Sequence, residues 1–435
     1  MKSKLKYIWF NLKGSFWFVP ILLIVGGLLA AAIMVYVDSH YSYMPDGWGK
    51  YFFSDSVDSA RSVLSIIAGA MIGVAGTVFS ITLVALTLAS SQFGSRLLRN
   101  FMYDRLNQLV LGTYISSFVY CLLILKTVRL EGETAFTPHF SVILAIVFAI
   151  MNIILLILFI HHISISIQAD KVISSVSSDL GKGIKKLFPE SIGDGAEVEA
   201  LDVDDILKGY AKMAHLQSRK TGYIQAVDSN NLMDIATRNN LLFRMQYRPG
   251  HFLVEKRGFL EVYFNGELED ELIDEIYSCF VFGSARTPHQ DAEFAVHQLV
   301  EIAARALSPG VNDPYTAISC IDKLAANICY LSRATFPLAL RIDEDKKLRI
   351  ITKPLTFSGM MDASFSQIRQ YSMGSPSVLI RMMESFVMID EIATLRSHLE
   401  VLKKHATMLL SAGESSMQES NDFEILKEIY DRIES

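Results

Sequence analysis

The sequence predicts four membrane-spanning helices followed by a cytoplasmic α+β domain. Of its 435 residues, 51% are hydrophobic and the mean hydropathy is +0.31, which is high for a soluble protein of this length. The long apolar runs all lie before residue 170, and the chain turns polar after it. We therefore assign residues 1–169 to a transmembrane domain, 170–204 to a connecting helix and linker, 205–413 to the α+β domain and 414–435 to an acidic C-terminal tail.

Four segments exceed the length of about 20 apolar residues that a membrane helix needs. They lie at about residues 15–37, 62–91, 109–128 and 140–167. Lysine and arginine concentrate before the first segment, between the second and third, and after the fourth, whereas the loop 38–61 is acidic. Because short basic loops stay on the cytoplasmic side, both termini are predicted to be cytoplasmic.

The second span carries small and hydroxyl residues at helical spacing, here called the small-residue stripe. Its members are Gly69, Gly73, Gly76, Ser80, Thr87 and Ser91. Small residues let helix backbones approach closely, so the stripe predicts helix packing within one subunit, a contact between subunits, or the wall of a pore. A helix running from Ser62 to Ser95 would be about 50 Å long at 1.5 Å per residue, which exceeds the hydrocarbon core.

Three arginines, here called the basic collar, follow the second span: Arg96, Arg99 and Arg105. At the mouth of a pore they would favour anions, but the same residues satisfy the positive-inside rule without such a role. The predicted spans contain no Asp or Glu, the groups that coupled transporters usually keep within the membrane. The adjacent pair His161-His162 points to different sides of a helix and is a poor joint ligand for a metal.

After residue 170 the pattern predicts one helix, then short strands, then long helices. The helix is expected at Asp170–Leu187. Strands are expected at Thr221–Asp228, Leu241–Tyr247, His251–Lys256 and Phe259–Phe264, with turn sequences between them, and a further hairpin at Leu338–Thr352. The four strands predict a small β-barrel-like unit. Three helix starts with proline in the first turn, at Thr287-Pro288, Asp313-Pro314 and Ser375-Pro376, predict a helical hairpin or bundle.

The segment ARALSPGVNDPYTAI, residues 304–318, joins two of these helices. Gly310 is expected to end the first helix in a left-handed conformation, and Asp313 to cap the second, within reach of Arg305. This interpretation needs no ligand. A second interpretation remains open. A small anion or an acidic protein partner could bind at Asn312, Thr316 and the free amides at the start of the second helix.

Several function classes lack support in the sequence. No phosphate-binding GxxxxGK[ST] loop, GxGxxG after a strand, HExxH or GxSxG is present, so we predict neither enzymatic activity nor a cofactor. The four cysteines form no Cys-x-x-Cys pair, which argues against a zinc site. The net charge of -6 and the absence of basic–aromatic clusters argue against nucleic-acid binding.

Three long stretches resemble a family of bacterial predicted membrane proteins, domain of unknown function 2254. They are VFSITLVALTLASSQFGSRLLRNFMYDR, LGTYISSFVYCLL and RTPHQDAEFAVHQLVEIAARALSPGVNDPYTAISCIDKL. The resemblance extends over most of the chain and implies a location in the bacterial inner membrane. It implies no activity.

The sequence favours a homo-oligomeric inner-membrane channel, lined by the second span and regulated by the cytoplasmic domain. A non-conducting membrane sensor or scaffold, whose cytoplasmic domain binds a ligand or partner, is the alternative. A secondary transporter is a weaker third hypothesis, because the chain shows no internal repeat.

The charge pattern gives a testable topology. Reporter fusions after Ser54 and Phe136 should report the periplasm, and a fusion after Asp170 should report the cytoplasm, because basic loops remain inside. Paired alkaline phosphatase and fluorescent-protein reporters measure this. Reversed signals would contradict the assignment of both termini to the cytoplasm.

Overall fold

The computed structural model describes six stretches of the chain. They are residues 16–40, 56–94, 104–128, 136–188, 202–288 and 290–434. The chain divides into two units, Met1–Lys171 and Val172–Ser435. Long apolar helices make up the described part of the first unit, and the second unit combines strands with helices.

Four helices of the first unit are long and apolar enough to cross a membrane. They are α1 (Phe18–His40), α2 (Val57–Phe93), α3 (Arg105–Thr127) and α4 (His139–Ser166). Each overlaps one predicted span, so the four apolar helices are confirmed. Helix α2 has 37 residues, about 55 Å at 1.5 Å per residue, and is therefore longer than a hydrocarbon core of about 30 Å requires.

Helix α3 lies at the centre of this unit and packs against α1, α2 and α4. Two glycines bring it close to α1. A Cβ at Gly27 would lie 2.3 Å from Ser116 Oγ, and a Cβ at Gly112 would lie 2.9 Å from Pro20 Cα. The Ser116 hydroxyl donates to the Leu23 carbonyl oxygen at 2.8 Å. The close glycine contacts therefore join α1 to α3, away from the predicted small-residue stripe of the second span.

Asp38, near the end of α1, caps the start of α4. The residue at the N-cap of α4, Pro138, makes no side-chain cap bond. Instead the Asp38 carboxylate accepts the amides of Phe140 at 2.9 Å and Ser141 at 3.0 Å. Asp38 follows the predicted span 15–37, but α1 continues to His40 and carries this buried carboxylate to the start of a neighbouring helix.

Helix α5 (Ala169–Leu187) follows α4 after two residues, close to the predicted Asp170–Leu187. It buries one apolar face, formed by Val172, Ile173, Val176, Leu180 and Ile184. Helix α10 (Pro314–Leu331) contacts it through two hydrogen bonds. Asn327 Nδ2 donates to Ser177 Oγ at 3.2 Å, and the Tyr330 hydroxyl donates to the Phe188 carbonyl oxygen at 3.1 Å.

The strands of the second unit form two sheets, with short helices between them in the chain. The elements are α6 (Val203–Lys208), β1 (Lys212–Gln217), β2 (Gly222–Val227), α7 (Ser229–Arg238), β3 (Leu242–Met245), β4 (Phe252–Leu253), β5 (Gly258–Phe264), α8 (Asp270–Ser278), β6 (Phe280–Gly283), β7 (Leu340–Ile342) and β8 (Leu348–Ile351). The predicted hairpin at 338–352 is confirmed as β7 and β8.

The predicted β-barrel-like unit is not confirmed. One sheet has the strand order β1-β5-β3-β8-β7 and the other the order β4-β2-β6, so each keeps two edges. Strand β3 pairs in parallel with β8, which begins about 100 residues later, and β2 pairs with β6. Both sheets share one apolar core with α7 and α8.

Six helices occupy the rest of residues 290–434. They are α9 (Ala292–Ala306), α10, α11 (Phe357–Tyr371), α12 (Pro376–Ile392), α13 (Arg396–Ser416) and α14 (Ser420–Glu434). The starts of α10 and α12 carry proline in the first turn, as predicted. The predicted start at Thr287 is wrong, because Asp291 is the N-cap of α9 and accepts the Phe294 amide at 3.1 Å. Arg286 holds that carboxylate with bonds of 2.7 and 2.8 Å.

The acidic C-terminal residues, predicted as a tail, form the packed helix α14. Leu426 and Ile433 on its inner face are buried, and the helix contacts α12 and α13. A Cβ at Gly413 in α13 would lie 2.3 Å from Leu426 Cδ2, so the two helices meet closely. The acidic side chains that dominate the composition lie on the exposed side, and apolar residues at helical spacing hold the helix in place.

Two adjacent glycines in α1 test the packing of the membrane unit. Replacement of Gly27 with leucine should lower the stability of the folded protein by about 1–3 kcal/mol or more, because the new side chain overlaps Ser116 of α3. Replacement of Gly26 with leucine is the matched control, since a Cβ there meets no described atom within 4 Å beyond the adjacent backbone of its own helix. Thermal unfolding in detergent measures both, and equal melting temperatures would contradict the packing.

Candidate functional site

The small-residue stripe lies on the outward side of α2. All six of its residues are exposed. The buried residues of the helix form the opposite face and include Ala60, Ala68, Ala75, Val78 and Ala89. Because residues on one helix face recur every three or four positions, the two sets remain on opposite sides along the helix. In the described part of the chain, the stripe does not take part in packing within one subunit.

The three stripe glycines make no close contact with another helix among the described residues. Apart from the adjacent backbone of α2, no described atom lies within 4 Å of the position that a Cβ would take at Gly69, Gly73 or Gly76. The stripe hydroxyls bond to their own helix instead. Ser80 Oγ donates to the Gly76 carbonyl oxygen and Thr87 Oγ1 donates to the carbonyl oxygen of Leu83, each at 2.9 Å. Both hydroxyl donors therefore have acceptors within their own helix.

The basic collar is only partly placed. Arg96 and Arg99 lie outside the described residues, and Arg105 is the exposed first residue of α3. Its neighbour Asp104 caps α3, with Oδ1 accepting the Leu106 amide at 2.9 Å. The second oxygen of Asp104 contacts His162 Nε2 of α4. The pair His161-His162 therefore contributes one residue to a contact between helices, and the described residues contain no group of three potential metal ligands.

A buried polar cluster in the membrane unit contains residues that the sequence analysis did not join. Asn152 of α4 is fully buried, and its Nδ2 donates to Ser117 Oγ of α3 at 2.8 Å. The Tyr114 hydroxyl donates to the Asn152 carbonyl oxygen at 2.7 Å. The Asn152 Oδ1 accepts no hydrogen bond from the described residues. Ser117 and Tyr114 are three residues apart, and this spacing is the signal that they share one helix face.

The turn segment 304–318 is a closed corner between α9 and α10. Asp313 Oδ1 accepts the Thr316 amide at 3.1 Å, and Oδ2 accepts the Thr316 hydroxyl at 2.6 Å. The Asp313 amide donates back to the Ala306 carbonyl oxygen at 2.8 Å. The Asp313 carboxylate thus occupies the helix start at which an anion would bind, and Thr316 donates its amide and hydroxyl to that carboxylate.

The left-handed residue of this turn is Asn312. Its φ is +50°, whereas Gly310, for which the sequence predicted this conformation, does not have a positive φ. Asparagine tolerates this region better than most residues, because its short amide side chain can hydrogen-bond locally. Asn312, Val311 and Tyr315 are exposed on the outer side of the corner, and Arg305 lies in the last turn of α9.

Substitutions at two neighbouring positions separate the cap from the turn. The change Asp313→Ala should cost about 1 kcal/mol, because the amide of Thr316 loses its cap. The change Asn312→Ala should cost about 1–2 kcal/mol, because alanine is strained at positive φ, whereas Asn312→Gly should cost little. Chemical unfolding of the purified protein measures all three. Equal effects of alanine and glycine at position 312 would contradict the backbone argument.

Comparison with known proteins agrees with the membrane helices. A family model described as a predicted membrane protein (DUF2254) matches residues 13–388. The chain is 27% identical over 431 residues to the uncharacterized protein Mb1321c of Mycobacterium bovis and to the uncharacterized protein Rv1290c of Mycobacterium tuberculosis. Each alignment covers 97% of this chain and 80% of the relative. No solved structure matches the chain. Since the family model spans most of its length, the chain belongs to the DUF2254 family of predicted membrane proteins.

Proposed function

We propose that this protein is a homo-oligomeric channel of the bacterial inner membrane, lined by the small-residue stripe and regulated by a cytoplasmic C-terminal unit. The observation that carries the proposal is the position of the stripe. Its six residues are exposed on the side of α2 opposite the buried face. Glycine and hydroxyl side chains gain little from contact with lipid tails. Such a surface suits a second copy of the helix or a water-filled path.

Helix α4 shows what a lipid-facing surface of this protein contains. Its exposed side chains are large and apolar: Ile146, Val147, Ile150, Ile153, Ile154 and Ile157. Large apolar residues such as Ile66, Phe79 and Val84 also lie on the exposed side of α2, so the contrast with α4 concerns the stripe itself and supports different surroundings for the stripe. In a bilayer α4 would face the acyl chains, and the stripe would face protein or water.

The length of α2 supports the same proposal. Its 37 residues allow about 55 Å at 1.5 Å per residue, so the helix would extend the path beyond the hydrocarbon core. The stripe hydroxyl oxygens keep lone pairs that can accept hydrogen bonds from water. If the basic collar surrounds the end of this path, its positive charge would favour anions.

A non-conducting sensor or scaffold is the second candidate. The glycines of the stripe would then form a dry contact between subunits, which needs no water-filled path. A secondary transporter has less support. Asp38 lies in the last turn of α1, and its oxygens accept hydrogen bonds from the start of α4, an arrangement that favours a structural role.

The conductance of the purified protein in a planar bilayer tests the proposal. We expect discrete currents from the wild type, and we expect a charged thiol reagent to change them after Ser80→Cys or Thr87→Cys substitution. Val78→Cys is the matched control, because Val78 lies on the buried face. Absence of current from oligomeric protein, with both stripe cysteines protected from the reagent, would favour the sensor or scaffold.

The native thiols should give little background in this experiment. Cys121, Cys279 and Cys320 are buried. Burial raises the pKa of the Cys279 thiol to about 11 and also raises the pKa of Cys320 and Cys329. Since the thiolate is the reactive form, these three groups should react slowly near neutral pH.

Native mass in detergent tests the assembly separately. If the stripe glycines form the contact between copies of α2, Gly73→Leu should shift the protein from oligomer to monomer, because the larger side chain would separate the copies. The monomer fold should survive, because a Cβ at position 73 meets no other helix among the described residues. Leu83→Ile, at an exposed position beside the stripe, should leave the mass unchanged. A wild type that is a strict monomer would remove the central-pore arrangement.

A further inference from the structure

A crevice opens in the five-stranded sheet where the parallel strands β3 and β8 separate. Arg244 and Ile351 are the last residues that face each other across this pair. Beyond them the amide of Gln246 donates to a carbonyl oxygen of β5, and the amide of Thr352 donates to the carbonyl oxygen that precedes β7. The two strands therefore follow different neighbours, and a gap forms at their carboxyl ends.

The gap is a cavity of about 410 Å³. This volume falls in the range of about 300–1,000 Å³ that small-molecule sites occupy. The polar side chains that line it are Arg244, Gln246, Glu261, Thr352 and Lys353. Three of these five are charged, so the cavity differs from an apolar packing gap.

Glu261, the buried carboxylate in this wall, is already engaged. Its Oε1 accepts Gln246 Nε2 at 2.6 Å, and its Oε2 accepts the Tyr263 hydroxyl at 2.9 Å. Arg244 NH1 lies 3.8 Å from the same carboxylate. With two cations and one carboxylate, the wall carries a net charge of about +1 near neutral pH. Because Glu261 is already hydrogen-bonded and the wall has an excess of positive charge, the cavity suits an anion better than a metal cation.

We propose that this crevice binds a small anion that carries a phosphate or carboxylate group. Arg244, whose side chain is 50% exposed, and the exposed Lys353 would supply the cationic contacts. A guanidinium presents a planar fork of donors that matches both kinds of oxyanion. The second amide hydrogen of Gln246 Nε2 provides one more donor. The proposal does not rest on conduction, because the crevice lies wholly within the second unit.

Calorimetric titration of the full-length protein in phosphatidylcholine nanodiscs tests the proposal. The probes are inorganic phosphate, adenosine monophosphate and citrate, added one at a time. We expect saturable binding of at least one probe, weakened about tenfold or more by Arg244→Ala or Lys353→Ala. Lys347→Ala is the matched control, because Lys347 is exposed on the same hairpin but does not line the cavity. It should bind like the wild type.

A second variant tests whether weaker binding by the alanine variants results from misfolding. Glu261→Gln removes a negative charge and keeps the shape of the side chain, so it should tighten binding of the same probe. A merely damaged protein would bind more weakly. No saturable binding of any probe, or equal binding by the wild type and the Arg244 and Lys353 variants, would overturn the proposal.

Two sources of the anion are distinguished by changing the lipid. If a phosphate headgroup occupies the crevice, replacing phosphatidylcholine with phosphatidylglycerol should weaken binding of the free probe, and Lys353→Ala should abolish this competition. If the ligand is a free anion, the affinity should be the same in both lipids at high ionic strength, where the surface charge of phosphatidylglycerol is screened. Either result supports an anion site and assigns its source.

Discussion

Backbone amides at a helix start need hydrogen-bond acceptors. In the N-terminal unit two aspartate carboxylates supply them, one to a neighbouring helix and one to its own helix. Asp38 of α1 binds the first amides of α4. Asp104 caps its own helix α3 and also contacts His162 of α4. In a medium with little water, each backbone amide without a hydrogen-bond acceptor would lower the stability of the fold by several kcal/mol. These contacts fix α1, α3 and α4 together, while α2 is held by apolar packing on one side only, which leaves the stripe available to other surroundings.

Local sequence patterns were enough for the four membrane helices and for two of the three proline-marked helix starts, because their signals lie within a few residues of the feature they predict. They failed for α14, whose acidic composition masked its apolar face. The four membrane helices follow from apolar length, and the starts at Asp313-Pro314 and Ser375-Pro376 follow from a cap and a proline. The cap by Asp38 involves residues about 100 positions apart, so the pattern placed Asp38 in a loop. The pairing of β3 with β8 spans a similar distance, and for that reason the strands suggested a barrel that the structure does not form.

The sequence predicts which residues form the small-residue stripe, but it does not predict the direction in which the stripe faces. Helical spacing placed Gly73 and Ser80 on one face of α2, yet the opposite face is also rich in small residues such as Ala68. Periodicity gives the angle between residues and leaves open which side meets a neighbour. The crevice at Arg244 and Lys353 had no sequence signal at all, because two distant strands have to separate before its walls exist.

The parallel pair in the middle of the five-stranded sheet has a consequence for biosynthesis. Strand β3 leaves the ribosome about 100 residues before β8, and translation proceeds at roughly 5–20 residues per second. For several seconds the nascent chain therefore exposes one unpaired edge of β3, a surface prone to intermolecular strand pairing. The core shared by the two sheets stays incomplete until Ile350 arrives. The long loop closure should make this sheet slow to form, and a chaperone that shields the edge during synthesis would raise the yield of native protein.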